Sequence, residues 1–202
     1  MTKGFSHQSL TGGQAVIKSL KAEKIKCVFG LIGSAAMEIF DALYKNRNIK
    51  FIDVRDERTG VHMADGYARA SGKAGIIIAG QNGPGVTNLV TGIAQASKAF
   101  SPVISIAGDI ASEHAGKDSF QEIDQEKLFE NITKKTFTVK KIEKIPNIIK
   151  EAFKIALSGR PGPVHINFPR DILSKINKFK KFTKHKKTKL LSPTDKEIED
   201  VM

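Results

Sequence analysis

The chain has 202 residues, 40% of them hydrophobic and 27% charged, which is the balance of an ordinary globular domain with one sizeable core. Its formal charge is +12, but Lys175, Lys178, Lys180, Lys181, Lys184, Lys186, Lys187 and Lys189 crowd into one short segment, so the rest is only mildly basic and does not call for nucleic acid. The amino end has no apolar leader core, no apolar run approaches a membrane span, and Cys27 is the sole cysteine, which excludes internal disulfides and fits the cytoplasm.

Thr11-Gly-Gly-Gln14 has the form of a capping box, and Ala15, Val16, Leu20 and Ile25 follow at roughly helical spacing, which predicts a first helix to about residue 24. A strand over 26–31 comes next, with Cys27 in it as a buried, inert thiol. Gly30-Leu31-Ile32-Gly33-Ser34 then turns into a helix whose inner face carries Ile39, Phe40 and Leu43. Turn chemistry and a ligand role explain these glycines equally well.

The following stretch organises the rest. Residues 49–54 form a short apolar strand, the chain turns acidic at Asp56-Glu57, and Val61, Ala64, Tyr67 and Ala68 recur at helical spacing. A carboxylate therefore stands where a strand's carboxyl end meets a helix's amino end, the place where open α/β sheets take ligands. The helix macrodipole also favours an acid there with no chemical duty, so Glu57 alone decides nothing.

Gly72 ends that helix, and residues 74–79 read as a strand apolar on both faces, as parallel strands are. It runs into Gly80-Gln-Asn-Gly83-Pro84-Gly85, followed by a helix over 86–100 and a second buried strand over 102–107. Residues 108–122 are polar and irregular and end in Ser119-Phe120-Gln121-Glu122. A short helix near 124–129, an alternating strand over 135–139 and an amphipathic helix over 145–157 follow, the last stopped by Gly159-Arg-Pro-Gly-Pro163. The final strand, 164–168, closes at Pro169-Arg170-Asp171.

Six strands joined by helical crossovers predict an α/β fold, an open and mainly parallel six-stranded sheet with helices on both faces, filling residues 1–173. The lysine-rich residues 174–191 show no apolar face worth burying and read as a solvated linker. Ser192-Pro-Thr194-Asp-Lys-Glu197 is a second capping box, and 192–202 reads as the truncated start of a following domain.

The glycine-rich loop lacks the Lys-Ser/Thr of a P-loop, and its glycine spacing is not that of the dinucleotide fingerprint. It offers a rigid wall poor in side chains, close to which a planar ligand can lie. Pro84 has no amide hydrogen to donate, so its contribution is shape and apolar contact.

Arg55-Asp-Glu57 with His62-Met-Ala-Asp-Gly-Tyr-Ala-Arg69, then Gly83-Pro-Gly85 and Asn88, then Phe120-Gln-Glu122, then Gly159-Arg-Pro-Gly-Pro163-Val-His-Ile-Asn and Pro169-Arg-Asp171, occur in one order. In that order they resemble the N-terminal, pyrimidine-binding domain of thiamine-diphosphate enzymes of the acetolactate synthase type. The resemblance runs from about Ser9 to Ile172. It implies that Glu57 hydrogen-bonds the ring nitrogen of the cofactor's aminopyrimidine and favours the imino tautomer, whose exocyclic nitrogen takes the proton from the thiazolium C2.

It also implies that Leu31, Ile32, Gly33, Gly83, Pro84, Gly85 and Asn88 lie near the cofactor with Glu57. Many relatives have proline where Ile32 stands, which shapes that wall differently. Gln121 matches a glutamine facing the substrate side and joins Glu57 as a candidate catalytic residue, with Phe120 beside it. Asn88 could instead make a helix-terminal hydrogen bond, and Phe120 could be core packing. Gly108-Asp109 looks like the start of the family's magnesium and diphosphate motif, but Ile110 replaces its second glycine and no matching asparagines follow, so no metal ligand is assigned.

The cofactor implied is thiamine diphosphate, with magnesium held by a domain absent from this chain; FAD occurs in some relatives, but no motif here supports it. The partner implied is a diphosphate-binding domain of the same or a neighbouring chain, in a homodimer or homotetramer, with no nucleic acid and no membrane. Residues 80–85 and 166–171 look more like sulfoacetaldehyde acetyltransferase, and the run 159–163 looks like acetolactate synthase. Acyl-carbanion chemistry on a small 2-oxo acid or sulfoacetaldehyde is thus expected. A non-catalytic interface or regulatory module on the same fold is the alternative.

Overall fold

The computed structural model describes residues 8–186 and 192–202. The chain runs β1 (Gln8–Thr11), α1 (Gly12–Ala22), β2 (Cys27–Leu31), a single 3-10 turn (Ser34–Ala36), α2 (Met37–Tyr44), β3 (Lys50–Asp53), α3 (Glu57–Ser71), β4 (Gly75–Ala79), α4 (Pro84–Thr87) and α5 (Val90–Lys98). It continues through β5 (Val103–Asp109), α6 (Gln125–Glu130), β6 (Lys135–Thr138), α7 (Ile145–Leu157), β7 (Val164–Pro169), α8 (Arg170–Ser174), β8 (Ile176–Phe179) and α9 (Asp195–Glu199). Both capping boxes form: Thr11 and Gln14 exchange side-chain and backbone bonds at the start of α1, and Thr194 and Glu197 do so at α9.

Six strands make one all-parallel sheet in the order β3-β2-β4-β5-β7-β6, as the alternation of strands and helices predicts. Successive isoleucines of β4 show why both faces must be covered. Ile76 and Ile78 join the core under α1, α2 and α7, whereas Ile77 joins the core under α3, α5 and α6. Each wholly buried isoleucine contributes about 1.5–3 kcal/mol over leaving it in water. Among the described residues no helix is long and apolar enough to cross a membrane.

Three expectations need correction. The helix foreseen over 86–100 is broken at Asn88–Leu89, where Leu89 N donates to Val86 O in a tighter turn, and α5 starts afresh. Cys27 is only half-buried, at the start of β2, where partial burial raises its thiol pKa.

Part of the segment read as a solvated linker is folded. β8 pairs antiparallel with β1, from Gln8 opposite Phe179 to Thr11 opposite Ile176. Phe179 is buried and lies 5.6 Å from the ring of Phe182. Farther on, Glu23 accepts from the His185 backbone at 2.8 Å and meets its Nδ1 at 2.7 Å. The pattern hid this, because in so short an edge strand Ile176 and Lys178 face outward and Phe179 is the one buried side chain. Lys187 and Lys189 of the same run lie outside the described residues.

Candidate functional site

Between β2 and β4 the winding of the sheet reverses, with β3 placed beyond β2 and β5 beyond β4. The loops leaving the carboxyl ends of these strands therefore border a crevice rather than crossing it, the usual ligand position of an open α/β sheet. Glu57 is the first residue of α3 and reaches this crevice from the edge strand β3. Asp56 caps the helix by accepting from Arg58 N at 2.8 Å, and that bond holds the Asp56 carboxyl below its ordinary pKa.

Glu57 is 4% exposed in this chain alone. Its Oε2 accepts from Asn88 Nδ2 at 3.0 Å. On the other side, a Cβ added to Gly85 would lie 2.9 Å from Glu57 Oε1, so only glycine lets that backbone lie so close to the carboxylate. The bend that brings Gly85 there begins at Gly83, with φ +58° and ψ −109°, a conformation open to glycine and costly for other residues. Pro84 then occupies the first turn of α4, where its missing N–H costs no helical bond, and its ring is exposed. The buried carboxylate, the bend and Asn88 thus form one cluster, and Asn88 bonds Glu57 rather than a helix end.

The loop after β4 is less bare of side chains than its glycines suggest. Gln81 Oε1 accepts from Ser34 N at 3.2 Å and from Ser34 Oγ at 3.0 Å, and Gln81 Nε2 donates to Gln121 Oε1 at 2.5 Å. Asn82 Nδ2 donates to Gln121 O at 3.1 Å. Two consecutive amides so lace the loops after β2, β4 and β5 together. Ser34, Gln81 and Asn82 were not foreseen as site residues; the adjacent amides at a strand end, just before Gly83-Pro84-Gly85, were the available signal.

Gln121 itself has φ +61°, which costs a side-chain-bearing residue about 1–2 kcal/mol and is held by these bonds. Glu122 braces the same loop by accepting from Ser119 N at 2.9 Å and from Gly116 N, and these amides lower its pKa. Phe120 is 85% exposed, which rules out core packing within this chain. Leu31 ends β2 half-buried, Ile32 is 54% exposed, and Gly33 packs so tightly on Gly80 that a Cβ would come within 2.4 Å of its carbonyl carbon. The predicted residues therefore gather into two adjoining groups, a buried acid with its bend and a rim carrying Ile32, Pro84 and Phe120.

Gly108-Asp109 is occupied by contacts within the protein. Asp109 Oδ2 accepts from Asn167 Nδ2 at 2.6 Å, Oδ1 accepts from Ile110 N at 2.8 Å, and burial raises the carboxyl pKa. Both oxygens are committed to the protein. Among the described residues no group of three or more His, Cys, Asp or Glu side chains is placed to hold a metal ion.

Comparison with known proteins gives the same direction. Residues 10–128 match the family described as thiamine pyrophosphate enzyme, N-terminal TPP binding domain. The chain is similar to a probable acetolactate synthase large subunit of Methanocaldococcus jannaschii, 48% identical over 163 residues, covering 81% of this chain and 27% of that protein. It is 43% identical over 171 residues to the acetolactate synthase isozyme 3 large subunit of Escherichia coli, covering 85% of this chain and 30% of that protein. It is 40% identical over 174 residues to an acetolactate synthase of Mycobacterium leprae, covering 86% and 28%. The chain thus spans less than a third of the length of these relatives.

Proposed function

Since the chain belongs to the family of thiamine pyrophosphate enzyme N-terminal domains, we propose that it supplies the pyrimidine half of a thiamine-diphosphate site in an enzyme of the acetolactate synthase type. The observation that carries this is Glu57, buried at the sheet's switch point with one oxygen on Asn88 and the other beside a bare Gly85. Bare backbone at Gly85 beside the carboxylate and the apolar side chains Ile32 and Pro84 at the rim suit a flat heteroaromatic ring. When bound, thiamine diphosphate supplies the acyl-carbanion chemistry.

Glu57 holds the proton shared with the pyrimidine ring nitrogen, and Asn88 fixes which oxygen does so. Ile32 and Pro84 offer apolar contact to the ring. Gln121 spends its side-chain oxygen on Gln81, which leaves its amide nitrogen as a donor to a substrate carboxylate or carbonyl. Phe120 lies beside it against the apolar end of a small substrate. The diphosphate and magnesium belong to a domain outside this chain, contributed within a homodimer or homotetramer. The substrate is a small 2-oxo acid, a choice supported by the names of the relatives; sulfoacetaldehyde is the competitor.

The test is the holoenzyme with thiamine diphosphate and magnesium, assayed side by side on pyruvate and on sulfoacetaldehyde with phosphate. Product from pyruvate is expected, and Glu57→Gln is expected to lower turnover at least 100-fold with the fold retained. Near-normal turnover in Glu57→Gln removes that residue from the mechanism, and turnover of sulfoacetaldehyde alone replaces the substrate.

A further inference from the structure

Beneath the Gln121 loop lies a buried polar chain with no counterpart in the cofactor cradle. Ser105 on β5, His165 on β7 and Gln125 at the start of α6 are each 2% exposed or less. Ser105 Oγ lies 2.9 Å from His165 Nδ1, His165 Nε2 lies 3.4 Å from Gln125 Oε1, and Gln125 Nε2 donates to Gly108 O at 3.1 Å. The imidazole stacks on Phe129 of the same helix, 4.1 Å between ring centres.

The shorter contacts select one arrangement of donors and acceptors. Gln125 must turn its NH2 to the Gly108 carbonyl, which can only accept, so its oxygen faces His165. With the hydrogen on His165 Nε2, Nδ1 accepts, and Ser105 Oγ donates to it at 2.9 Å in preference to the Val164 carbonyl, which it meets only at 3.5 Å. Burial pushes the imidazole down to about 3, so the ring stays neutral and this tautomer persists across the physiological range.

A direction of this kind fixes Gln125 to the sheet interior, and Gln125 lies four residues beyond Gln121. Gln121 stands in an unfavourable backbone conformation on a loop whose residues 112–118 are all exposed. Little apolar burial holds that loop, so its position depends on polar anchors: Ser112 on Asp171 at its start, Glu122 within it, Gln81 and Asn82 at Gln121, and the root at Gln125.

We propose that Ser105, His165 and Gln125 are positioning residues for Gln121, a one-way hydrogen-bond relay that roots the substrate-side loop in the core of the sheet. The proposal rests on the reading of Gln121 as facing the substrate. Removing the relay loosens the root of the loop next to Gln121 and leaves the bond between Glu57 and Asn88 in place. Substrate capture therefore suffers, and cofactor binding does not.

The experiment is Gln125→Met in the holoenzyme, a change close in volume that deletes both bonds. A rise in KM for the 2-oxo acid of about 10-fold or more is expected, with kcat lowered less and the thiamine-diphosphate affinity within about twofold of wild type. Equal KM, or a loss of cofactor affinity matching the loss of activity, overturns the positioning role. Glu57→Gln measured alongside separates the two ideas: activity surviving there sinks the cofactor reading, whereas activity lost there with Gln125→Met unchanged sinks only this one. If Gln125→Met does not accumulate folded, the 15N spectrum of His165 in the wild-type protein decides. Hydrogen on Nε2 at neutral pH is expected, and hydrogen on Nδ1 or on both nitrogens refutes the relay.

Discussion

Lowering the pH from 7 to 5 should remove the stability that His165 carries, and the size of that contribution follows from where the ring sits. The ring is wholly buried, and burial brings its pKa from 6.5 in the unfolded chain to about 3 in the folded one. Between those values the unfolded state binds the extra proton. The stability carried by the neutral ring is therefore complete above 6.5 and is lost progressively as pH falls toward 3. At about 1.36 kcal/mol per pH unit, roughly 2 kcal/mol has gone by pH 5 and at most about 5 kcal/mol by pH 3. Asp171, held at about 2 by Lys175 and Ser112 against its own desolvation, loses its contribution only below 3.8, whereas Asp109, whose carboxyl pKa burial raises, gains stability as pH falls and does so equally in wild type and in a His165 variant.

Urea unfolding of wild type and His165→Phe at pH 7, 6 and 5 reads the effect directly. Phenylalanine keeps the stack on Phe129 but strands the buried groups of Ser105 and Gln125, so the variant should be about 1–3 kcal/mol less stable at pH 7. Its deficit should shrink by about 2 kcal/mol by pH 5, because it has no ring to protonate there. Parallel stability curves over that range would refute the argument.

Further outcomes follow from the same structure. Gly85→Ala puts a methyl carbon 2.9 Å from Glu57 Oε1, so the holoenzyme should lose thiamine-diphosphate affinity by about tenfold or more while its thermal midpoint barely moves; calorimetric titration with the cofactor measures it. Phe179→Ala should cost about 3–5 kcal/mol in chemical unfolding, because this phenylalanine anchors the lysine-rich segment in the core; a cost near zero would return that segment to the status of a tether. Lys134 gives its ammonium to the carbonyls of Ile155, Ser158 and Arg160 at 2.6, 2.7 and 2.9 Å, closing the carboxyl end of α7. Lys134→Met should therefore lower stability by about 1–3 kcal/mol, seen as a lower urea midpoint.

The sheet was legible because parallel strands buried on both faces leave short apolar runs that helices separate, and β4 and β5 are such runs. Glu57 and the Gly83-Pro84-Gly85 bend were legible as chemistry at a strand-to-helix junction. What escaped notice shares one physical cause: interactions whose partners are far apart in the chain and whose residues are unremarkable alone. Gln81 gains its meaning from Ser34, 47 positions earlier, and from Gln121, 40 positions later. His165 reads as a polar interruption of an apolar strand until Ser105 and Gln125 are seen on either side of it. The β1–β8 pair was hidden in the same way, since neither strand has enough apolar pattern to announce itself without the other.

That small antiparallel pair has a mechanical consequence. Gln8 and Phe179 lie opposite each other at the same end of the ribbon, so both backbones leave the ribbon side by side there. Tension applied across residues 8 and 179 loads the ribbon as a zipper, breaking its rungs singly from that end, whereas the six-stranded sheet beneath is spared until the ribbon has opened. A pulling measurement should accordingly find a soft, early yield that leaves the crevice around Glu57 intact.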